Sequence, residues 1–286
     1  MQLTFWGVRG SIPSPGRDTV RYGGNTTCVE VRRGNQLVIL DAGTGLRGLG
    51  RNLLGGKTNL SQLDISLLIT HTHWDHIQGL PFFAPLYDAR CRLQIFGYEG
   101  ARKGLVDALT GQMESTYFPV PFSRLPGNVE ITELDKPDVR LGQFQIRAQR
   151  SNHPGVCVGY RLTSPEGDIV FFPDAEPRPS GDDREMIDFI RGADVLILDS
   201  QYDSAEYRRH QGWGHGCVED SVRLAAAAGV KRLVLFHHDP NHNDRKIDTL
   251  VQQAQRQIKR LGVRLAVEAA REGRVLKLAG PRAAKK

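Results

Sequence analysis

Short apolar runs separated by turn-forming residues recur along most of the chain. The runs have strand length and are rich in Val, Ile, Leu and Phe, and Gly, Pro, Asn or Asp bounds them, which is the pattern of buried β-strands. Two neighbouring pairs predict hairpins, one turning across residues 33–35 and the other across 165–167. The predicted strands are 3–6, 28–32, 36–40, 64–70, 92–96, 129–134, 144–149, 158–163, 168–172, 194–198, 231–236, 263–267 and 274–278.

Helical patterns fall between several of these strands. Residues 217–228 predict a helix that ends at Gly229, and residues 247–261 place an apolar stripe at helical spacing. Residues 79–88 are interpreted as a helix with a loop, and residues 102–112 as a second helix. The aromatic, proline-bearing segment 117–122 predicts an extended loop. It either forms a rim over a functional site, where its rings could stack a base, or packs on its own domain or a partner subunit.

Composition narrows the class of protein. The chain has 286 residues, of which 40% are hydrophobic and 24% charged, as is ordinary for a soluble globular enzyme. We find neither a membrane-spanning apolar run nor a secretory signal pattern, and therefore expect a cytoplasmic protein with no membrane partner. The net charge of +6 mildly favours an anionic substrate. We expect reduced, buried thiols because no C-x-x-C pair occurs among Cys28, Cys91, Cys157 and Cys217.

One dense cluster carries the chemistry. Residues 71–76 read His-Thr-His-Trp-Asp-His and directly follow the predicted strand 64–70. On a helix His73 and His76 would share a face while His71 would point elsewhere, whereas on a turn the donor groups can converge. Imidazole and carboxylate groups together suit Zn²⁺ or a similar borderline metal. The cluster therefore predicts a metal-binding turn that supplies His71, His73, Asp75 and His76.

Further His and Asp residues lie just past the ends of other predicted strands. An isolated His or Asp at a strand end is usually a cap or a turn residue. Several on separate strands, together with the dense cluster, instead predict one composite metal site, because strand ends collect functional groups. Asp41, which ends the strand 36–40, either caps the next helix or orients a histidine of the site. The residues at strand ends are His71, His153, Asp174, Asp199 and His237.

The order of these residues resembles that of the metallo-β-lactamase superfamily over nearly the whole chain. The shared pattern is the His-x-His-x-Asp-His cluster, a later lone His, a later Asp and a final His. The resemblance implies an α/β fold, a four-layer αβ/βα sandwich, with residues 1–280 as one domain and 281–286 as a basic C-terminal tail. It also implies two divalent metal ions. Zn²⁺ is our first choice, with Mn, Fe or Ni as alternatives, because His/Asp ligation discriminates poorly among them.

The resemblance also assigns roles to individual residues. His71, His73 and His153 would hold one metal, Asp75, His76 and His237 the second, and Asp174 would bridge them. His237 is chosen over His238 because it directly follows its strand. Two such metals can hold a bridging hydroxide that is a nucleophile at neutral pH, and Asp75 could also orient that nucleophile.

One further segment is similar to the phosphodiesterase branch, which includes ribonuclease Z. Residues 212–221 place His215 ahead of a helix, and the N-terminal segments 7–13 and 21–26 also resemble the carbon–phosphorus-pathway phosphodiesterase. The resemblance implies that His215 contacts a phosphate oxygen and protonates the leaving alkoxide, with Asp199 positioning it. The chain departs from the His-Ser-Thr pattern of the branch, since Gly216 and Cys217 follow. A plain histidine at a helix N-terminus is the alternative interpretation.

These observations predict a dinuclear metal-dependent phosphodiesterase. We expect a small anionic phosphodiester or a cyclic nucleotide as substrate, because the long Gly/Pro-rich arm with which ribonuclease Z holds transfer RNA has no obvious counterpart here. Nucleic acid is a less favoured substrate, and we expect a homodimer. Two alternatives are a glyoxalase II-like thioester or lactone hydrolase and a non-catalytic binding protein on the same fold.

Overall fold

The computed structural model describes residues 1–56, 59–98, 104–178 and 183–280. The strands are β1 (Gln2–Gly7), β2 (Cys28–Arg33), β3 (Gln36–Leu40), β4 (Asp64–Leu68), β5 (Arg92–Tyr98), β6 (Asn128–Leu134), β7 (Asp138–Leu141), β8 (Phe144–Arg150), β9 (Val158–Ser164), β10 (Gly167–Phe172), β11 (Val195–Asp199), β12 (Arg232–Phe236), β13 (Ala266–Ala269) and β14 (Val275–Lys277). The helices are α1 (Gly45–Gly55), α2 (Trp74–Ile77), α3 (Leu105–Gly111), α4 (Arg184–Ile190), α5 (Ser204–Tyr207), α6 (Val218–Ala227) and α7 (Asp244–Leu261).

The strands form two seven-stranded mixed sheets in the described part of the chain. The first has the order β14-β1-β2-β3-β4-β5-β6 and is parallel from β3 to β6. The second has the order β13-β12-β11-β10-β9-β8-β7 and is parallel from β10 to β13. Parallel neighbours bring the carboxyl ends of their strands to one edge of each sheet, and the residues that follow β4, β10, β11 and β12 lie there.

Apolar side chains of both sheets pack face to face in one buried core. Phe5 of the first sheet and Phe236 of the second have ring centroids 6.2 Å apart, and Phe171 adds an edge-on contact to Phe236. Two further buried clusters lie under the helices, one between the first sheet and α1 and the other between the second sheet and α4, α6 and α7. Helices therefore cover the outer face of each sheet, which confirms the predicted four-layer αβ/βα sandwich.

Most predicted elements are present, and the differences have local causes. Every predicted strand is found, with β13 shifted toward the C-terminus, while β7 and α4 were not predicted. The predicted helix over 79–88 is wrong, because the segment forms two short 3₁₀ turns. Each turn has a proline as its second residue, Pro81 in the first and Pro85 in the second. Helix α3 confirms the described part of the predicted helix 102–112, of which 102–103 lie outside the described residues, as does the tail 281–286.

Helices α6 and α7 end where the sequence predicts, but α7 begins at Asp244, before the predicted start at 247. Its N-cap is Asn243, whose side-chain oxygen accepts from the Lys246 amide, and its C-cap is Gly262 with φ +65°. Gly229, with φ +65°, follows α6 in the same left-handed conformation. In the described ranges no helix is both long and apolar enough to cross a lipid bilayer.

Candidate metal centre

The histidine-rich cluster lies at the carboxyl end of β4, at the edge shared by the two sheets. The backbone is irregular through His71, and His73 has the extended conformation that precedes a helix. Helix α2 then begins at Trp74, so Asp75 and His76 lie on its first turn. The cluster therefore leaves its strand on a turn, as predicted, but its second half is a short helix.

Four donor atoms form the first group. His71 Nε2 lies 2.9 Å from His73 Nδ1, which in turn lies 3.2 Å from His153 Nε2. Asp174 Oδ2 closes the group, at 3.6 Å from His71 Nε2 and 3.7 Å from His153 Nε2. A tetrahedral zinc with ligand bonds of about 2.05 Å would place its donors about 3.4 Å apart, so these separations fit one small cation.

Four more donor atoms form a second group on the other side of Asp174. His76 Nε2 lies 3.2 Å from Asp75 Oδ2 and 3.1 Å from Asp174 Oδ1. His237 Nε2 lies 3.1 Å from Asp75 Oδ2 and 3.3 Å from Asp174 Oδ1. The two oxygens of Asp174 thus face different groups, which is the arrangement that a carboxylate bridging two cations requires.

Two buried atoms of these groups have no hydrogen-bond partner. They are His76 Nε2 and Asp174 Oδ1, and both point into the second group. Buried polar atoms nearly always have a hydrogen-bond partner. Two buried atoms that lack one and face each other therefore favour a bound metal ion between them. The residues present therefore fit two divalent cations, one in each donor group.

Hydrogen bonds from neighbouring residues orient most of the candidate ligands. The second ring nitrogen of four histidines has a protein partner, which fixes the orientation of the ring toward a cation. These partners lie in loops and strand ends on both sheets. The pairs are His71 with the Thr70 hydroxyl (3.1 Å), His76 with Asp41 (2.8 Å), His153 with the Gly214 carbonyl (2.9 Å) and His237 with the Gln201 side chain (3.0 Å).

Asp41 orients the candidate ligand His76 and does not cap a helix. Its carboxylate accepts hydrogen bonds from the Thr70 amide (2.7 Å) and hydroxyl (2.9 Å) and from His76 Nδ1. Helix α1 instead has Thr44 at its N-cap position. Asp41 has φ +60°, a left-handed conformation that is uncommon outside glycine and that aims the buried carboxylate at His76. Of the two interpretations open from sequence, the structure shows the second.

Burial and neighbouring charges shift the titration of the donor groups in two directions. Burial opposes ionisation of Asp75 and Asp174, but the adjacent imidazoles of His76 and His237 outweigh it and lower the pKa of both carboxyls. Both carboxyls are thus anionic at neutral pH, the form in which a carboxylate can bind a metal. Burial also lowers the pKa of three imidazoles below its usual value, which favours the neutral form that binds metals, namely those of His71, His73 and His153.

His215 stands beside the two donor groups and pairs with Asp199. Its Nδ1 lies 2.9 Å from Asp199 Oδ2, and its ring stacks on that of His237 at 4.9 Å between centroids. Burial opposes the charged form of His215, but the Asp199 carboxylate outweighs it and raises the pKa of His215 to about 9. Asp199 itself is held by the amides of Ala175 and Gln201. The geometry also allows His215 to act as a third donor with Asp174 and His237.

The adjacent histidines at the end of β12 face different surroundings. His237 has φ +60° and joins the second donor group. His238 donates from Nε2 to the Ala270 carbonyl at 2.9 Å, and burial lowers its pKa to about 3. The geometry favours His237 as the ligand.

We expect His237→Ala and His238→Ala to separate metal binding from stability. His237→Ala removes one donor of the second group and lowers the metal content from two ions per chain toward one. His238→Ala leaves both groups intact but leaves the Ala270 carbonyl without its partner, which destabilises the fold by about 1–3 kcal/mol. Elemental analysis and thermal denaturation of both variants measure this. A loss of metal in His238→Ala alone would reverse the assignment.

Several residues of the site were not found from the sequence. Gln201 orients His237, Thr70 contacts His71, and the Ser11 amide donates to Asp75 Oδ2 at 2.8 Å. The exposure of two tryptophans that lie close in sequence to the candidate site residues was also not predicted. Trp74 is 81% exposed and Trp213 is 61% exposed. A tryptophan between two ligands of the cluster is a signal that the sequence did contain.

The aromatic segment 117–122 contacts the 3₁₀ turn that follows the cluster. Phe118 packs edge-on against Phe82, with ring centroids 5.5 Å apart, while Tyr117 is largely exposed. The segment therefore packs in part on its own domain, and its predicted role as a rim over the site stays a prediction.

Comparisons with known proteins agree with this architecture. The family model described as "Beta-lactamase superfamily domain" matches residues 36–238. The chain is 28% identical over 296 residues to ribonuclease Z of Thermoplasma acidophilum, covering 86% of this chain and 89% of that protein. Two solved structures share the fold: the metallo-beta-lactamase fold protein YhfI of Bacillus subtilis (22% identity, TM-score 0.69, covering 96% and 99% of the two chains) and the short form of human tRNase Z (21%, 0.65, 97% and 99%).

Proposed function

This chain belongs to the beta-lactamase superfamily, and we propose that within it the chain is a dinuclear metal-dependent phosphodiesterase. Its similarity to ribonuclease Z proteins places it among the metal-dependent hydrolases of the phosphodiesterase branch. One observation supports the proposal most directly. The two carboxylate oxygens of Asp174 face different donor groups, and the hydrogen-bonded pair of His215 and Asp199 lies next to them.

Each donor group would hold one divalent cation, Zn²⁺ in the first instance. The bound cations would lower the pKa of a shared water to about 7 and would stabilise oxygens that gain negative charge. Asp75 contacts two imidazoles of the second group and accepts from the Ser11 amide. We assign to Asp75 both ligation and the orientation of the attacking water. The first donor group is His71, His73, His153 and Asp174. The second is Asp75, His76 and His237, with Asp174 Oδ1 beside its two imidazoles.

His215 supplies the proton that a phosphodiester needs at its leaving group. Because Nδ1 pairs with Asp199, Nε2 is the nitrogen left to face a substrate. An alkoxide is a poor leaving group unless it is protonated as the bond breaks, whereas a thiolate leaves readily without help. A histidine paired with a carboxylate beside the metal centre therefore favours phosphodiester over thioester hydrolysis.

The exposed tryptophans favour a substrate that carries a base. Along the chain, Trp74 lies between the candidate ligands His73 and Asp75, and Trp213 lies two residues before His215, so both belong to segments that carry the site. Exposed aromatic faces stack nucleobases. We propose a cyclic nucleotide or another small nucleotide phosphodiester as substrate, with RNA, named by the similar ribonuclease Z proteins, as the alternative.

We expect Trp74→Ala and Trp213→Ala to weaken the use of nucleotide substrates selectively. Loss of one stacking face removes about 1–3 kcal/mol of binding free energy, so KM for a nucleoside p-nitrophenyl phosphate rises roughly 5- to 150-fold. Methyl p-nitrophenyl phosphate is the matched control, since it has the same leaving group and no base. Equal losses on both substrates would contradict stacking.

A paired assay tests the proposed function. One metal-analysed preparation is given bis-p-nitrophenyl phosphate and a panel of cyclic nucleotides, and in parallel S-lactoylglutathione and a lactone. The proposal expects chelator-sensitive phosphodiester turnover with about two metals per chain. Turnover of the thioester or lactone alone would favour the glyoxalase II-like alternative, and no turnover with bound metal would favour a binding protein.

We also propose a cytoplasmic location and a homodimer. All four cysteines are buried and unpaired, as predicted, which suits a reducing compartment. The homodimer stays a prediction that light scattering of the purified chain measures.

A further inference from the structure

Glu176 is a buried acidic residue that the chemistry described above does not use. It lies two residues after Asp174, in the segment that follows β10, and is only 7% exposed. Its carboxylate accepts hydrogen bonds from the amides of Gly212 (2.8 Å) and Gly214 (2.9 Å) and from the Tyr207 hydroxyl (2.9 Å). Both of its oxygens are therefore occupied, by Tyr207 at the end of α5 and by the loop 208–214 that follows.

That loop controls one candidate ligand directly. The Gly214 carbonyl accepts from His153 Nδ1 at 2.9 Å, which turns His153 Nε2 toward His73 Nδ1 in the first donor group. The fit is close, because a Cβ added at Gly214, which has φ +87°, would lie 2.2 Å from His153 Nδ1. Gly212 also has a left-handed φ, +84°, and its amide, like that of Gly214, donates to the Glu176 carboxylate.

The same loop leads straight into the proposed acid. His215 follows Gly214 in the chain, so the amide that Glu176 fixes is one peptide away from the imidazole. Glu176 also holds the segment that bears His153, because its amide donates to the Asn152 carbonyl (2.9 Å) and its carbonyl accepts from the Asn152 side chain (3.0 Å). Three segments of the site therefore meet at this one residue.

We propose that Glu176 is a positioning residue that sets His153 for the first metal and His215 for the substrate. It acts through the backbone of Gly212 and Gly214 and touches neither the donor atoms nor the substrate. The proposal rests on the metal centre assigned above, and it distinguishes the two donor groups. No comparable contact joins Glu176 to the second group within the described residues, so only the first group depends on it.

Calorimetric titration of the metal-free full chain with Zn²⁺ tests this without an activity readout. In Glu176→Gln the side-chain NH₂ group replaces one carboxylate oxygen. One of the two glycine N–H groups then loses its acceptor, and we expect the loop to shift. We expect one of the two zinc affinities to fall roughly 10- to 100-fold, as for other residues that orient ligands, while the other stays within twofold. The zinc-binding step that weakens in Glu176→Gln should be the same step that is lost in His153→Ala. Phosphodiester turnover falls in parallel.

Two further variants keep the test decisive. Gly214→Ala, whose added methyl meets the His153 ring, weakens the same zinc step even if Glu176→Gln folds poorly. Glu30→Gln is the matched control, because Glu30 in the first sheet is also buried, at 5% exposed, and accepts a hydrogen bond from the Trp6 indole (2.8 Å). Loss of the Glu30 carboxylate should lower the melting temperature and leave both zinc affinities unchanged.

Specific outcomes overturn the proposal. Unchanged zinc affinities in Glu176→Gln and Gly214→Ala would do so, and so would an equal fall in both affinities or the same change in Glu30→Gln. Failure of the proposed function is a separate result, since a wild-type chain that binds two zinc ions but hydrolyses only thioesters would leave the role of Glu176 intact.

Discussion

Asp174→Asn is expected to reduce phosphodiester turnover by roughly 10³-fold or more and to lower the metal content of the chain, because one cation loses its ligand and the other exchanges an anionic oxygen for a neutral one. Asp174 Oδ2 faces the first donor group and Oδ1 the second, both at 3.1–3.7 Å from imidazole nitrogens. An asparagine keeps one oxygen and turns an NH₂ toward the other group. Elemental analysis together with steady-state kinetics measures both effects.

Asp194→Asn is a suitable control for that substitution. Asp194 accepts from the Asp168 amide at 2.8 Å just before β11, at the opposite edge of the second sheet. It should keep full metal content and turnover. Two retained metals and near-normal turnover in Asp174→Asn would contradict the bridging role of this carboxylate.

His215→Ala is expected to lower turnover while the metal content stays near two per chain. General acid catalysis contributes roughly 10²- to 10⁴-fold, and we expect a loss in that range for a substrate with an alkoxide leaving group such as a cyclic nucleotide. With a p-nitrophenyl ester the loss should be much smaller, because p-nitrophenolate leaves without protonation. The ratio of the two losses isolates the acid role from any general distortion of the site.

A second variant, at the hydrogen-bond partner Asp199, tests the role of His215 independently. Asp199→Asn keeps a hydrogen-bond partner for Nδ1 but removes the negative charge that holds the imidazolium. It should show the same leaving-group pattern with a smaller loss. If His215→Ala instead loses metal together with activity, His215 is a ligand with Asp174 and His237, and the acid must be sought elsewhere.

The strands and the cluster were predictable because their signals are local. Buried strands such as β4 and β12 are continuous apolar runs, and the cluster at 71–76 needs only its own spacing to suggest a metal. The helix predicted over 79–88 failed because Leu80, Phe83 and Leu86 repeat at helical spacing while prolines remove backbone donors from the same stretch.

Other parts of the site depend on contacts that sequence spacing does not encode. His237 was chosen over His238 from its place directly after the strand, and the geometry favours that choice. Strand alternation could not have supported it, because the positive φ of His237 breaks the alternation at this residue. Glu176 reaches Gly214 across 38 residues, and Gln201 reaches His237 across 36. Such partners become visible only once the two strand ends are placed side by side. The residues that converge at the site, and the roles of Asp41 and Asp199 beside them, were open to prediction from the sequence, whereas Gln201 and Glu176 were not.

The most direct test of a dinuclear phosphodiesterase is the rate of phosphodiester hydrolysis as zinc is added back to metal-free protein. The two donor groups share Asp174, so we predict little turnover at one equivalent and full turnover only as the second equivalent binds. Full activity at one equivalent would show that a single cation suffices. No hydrolysis of any phosphodiester after two equivalents have bound would contradict the proposed function itself.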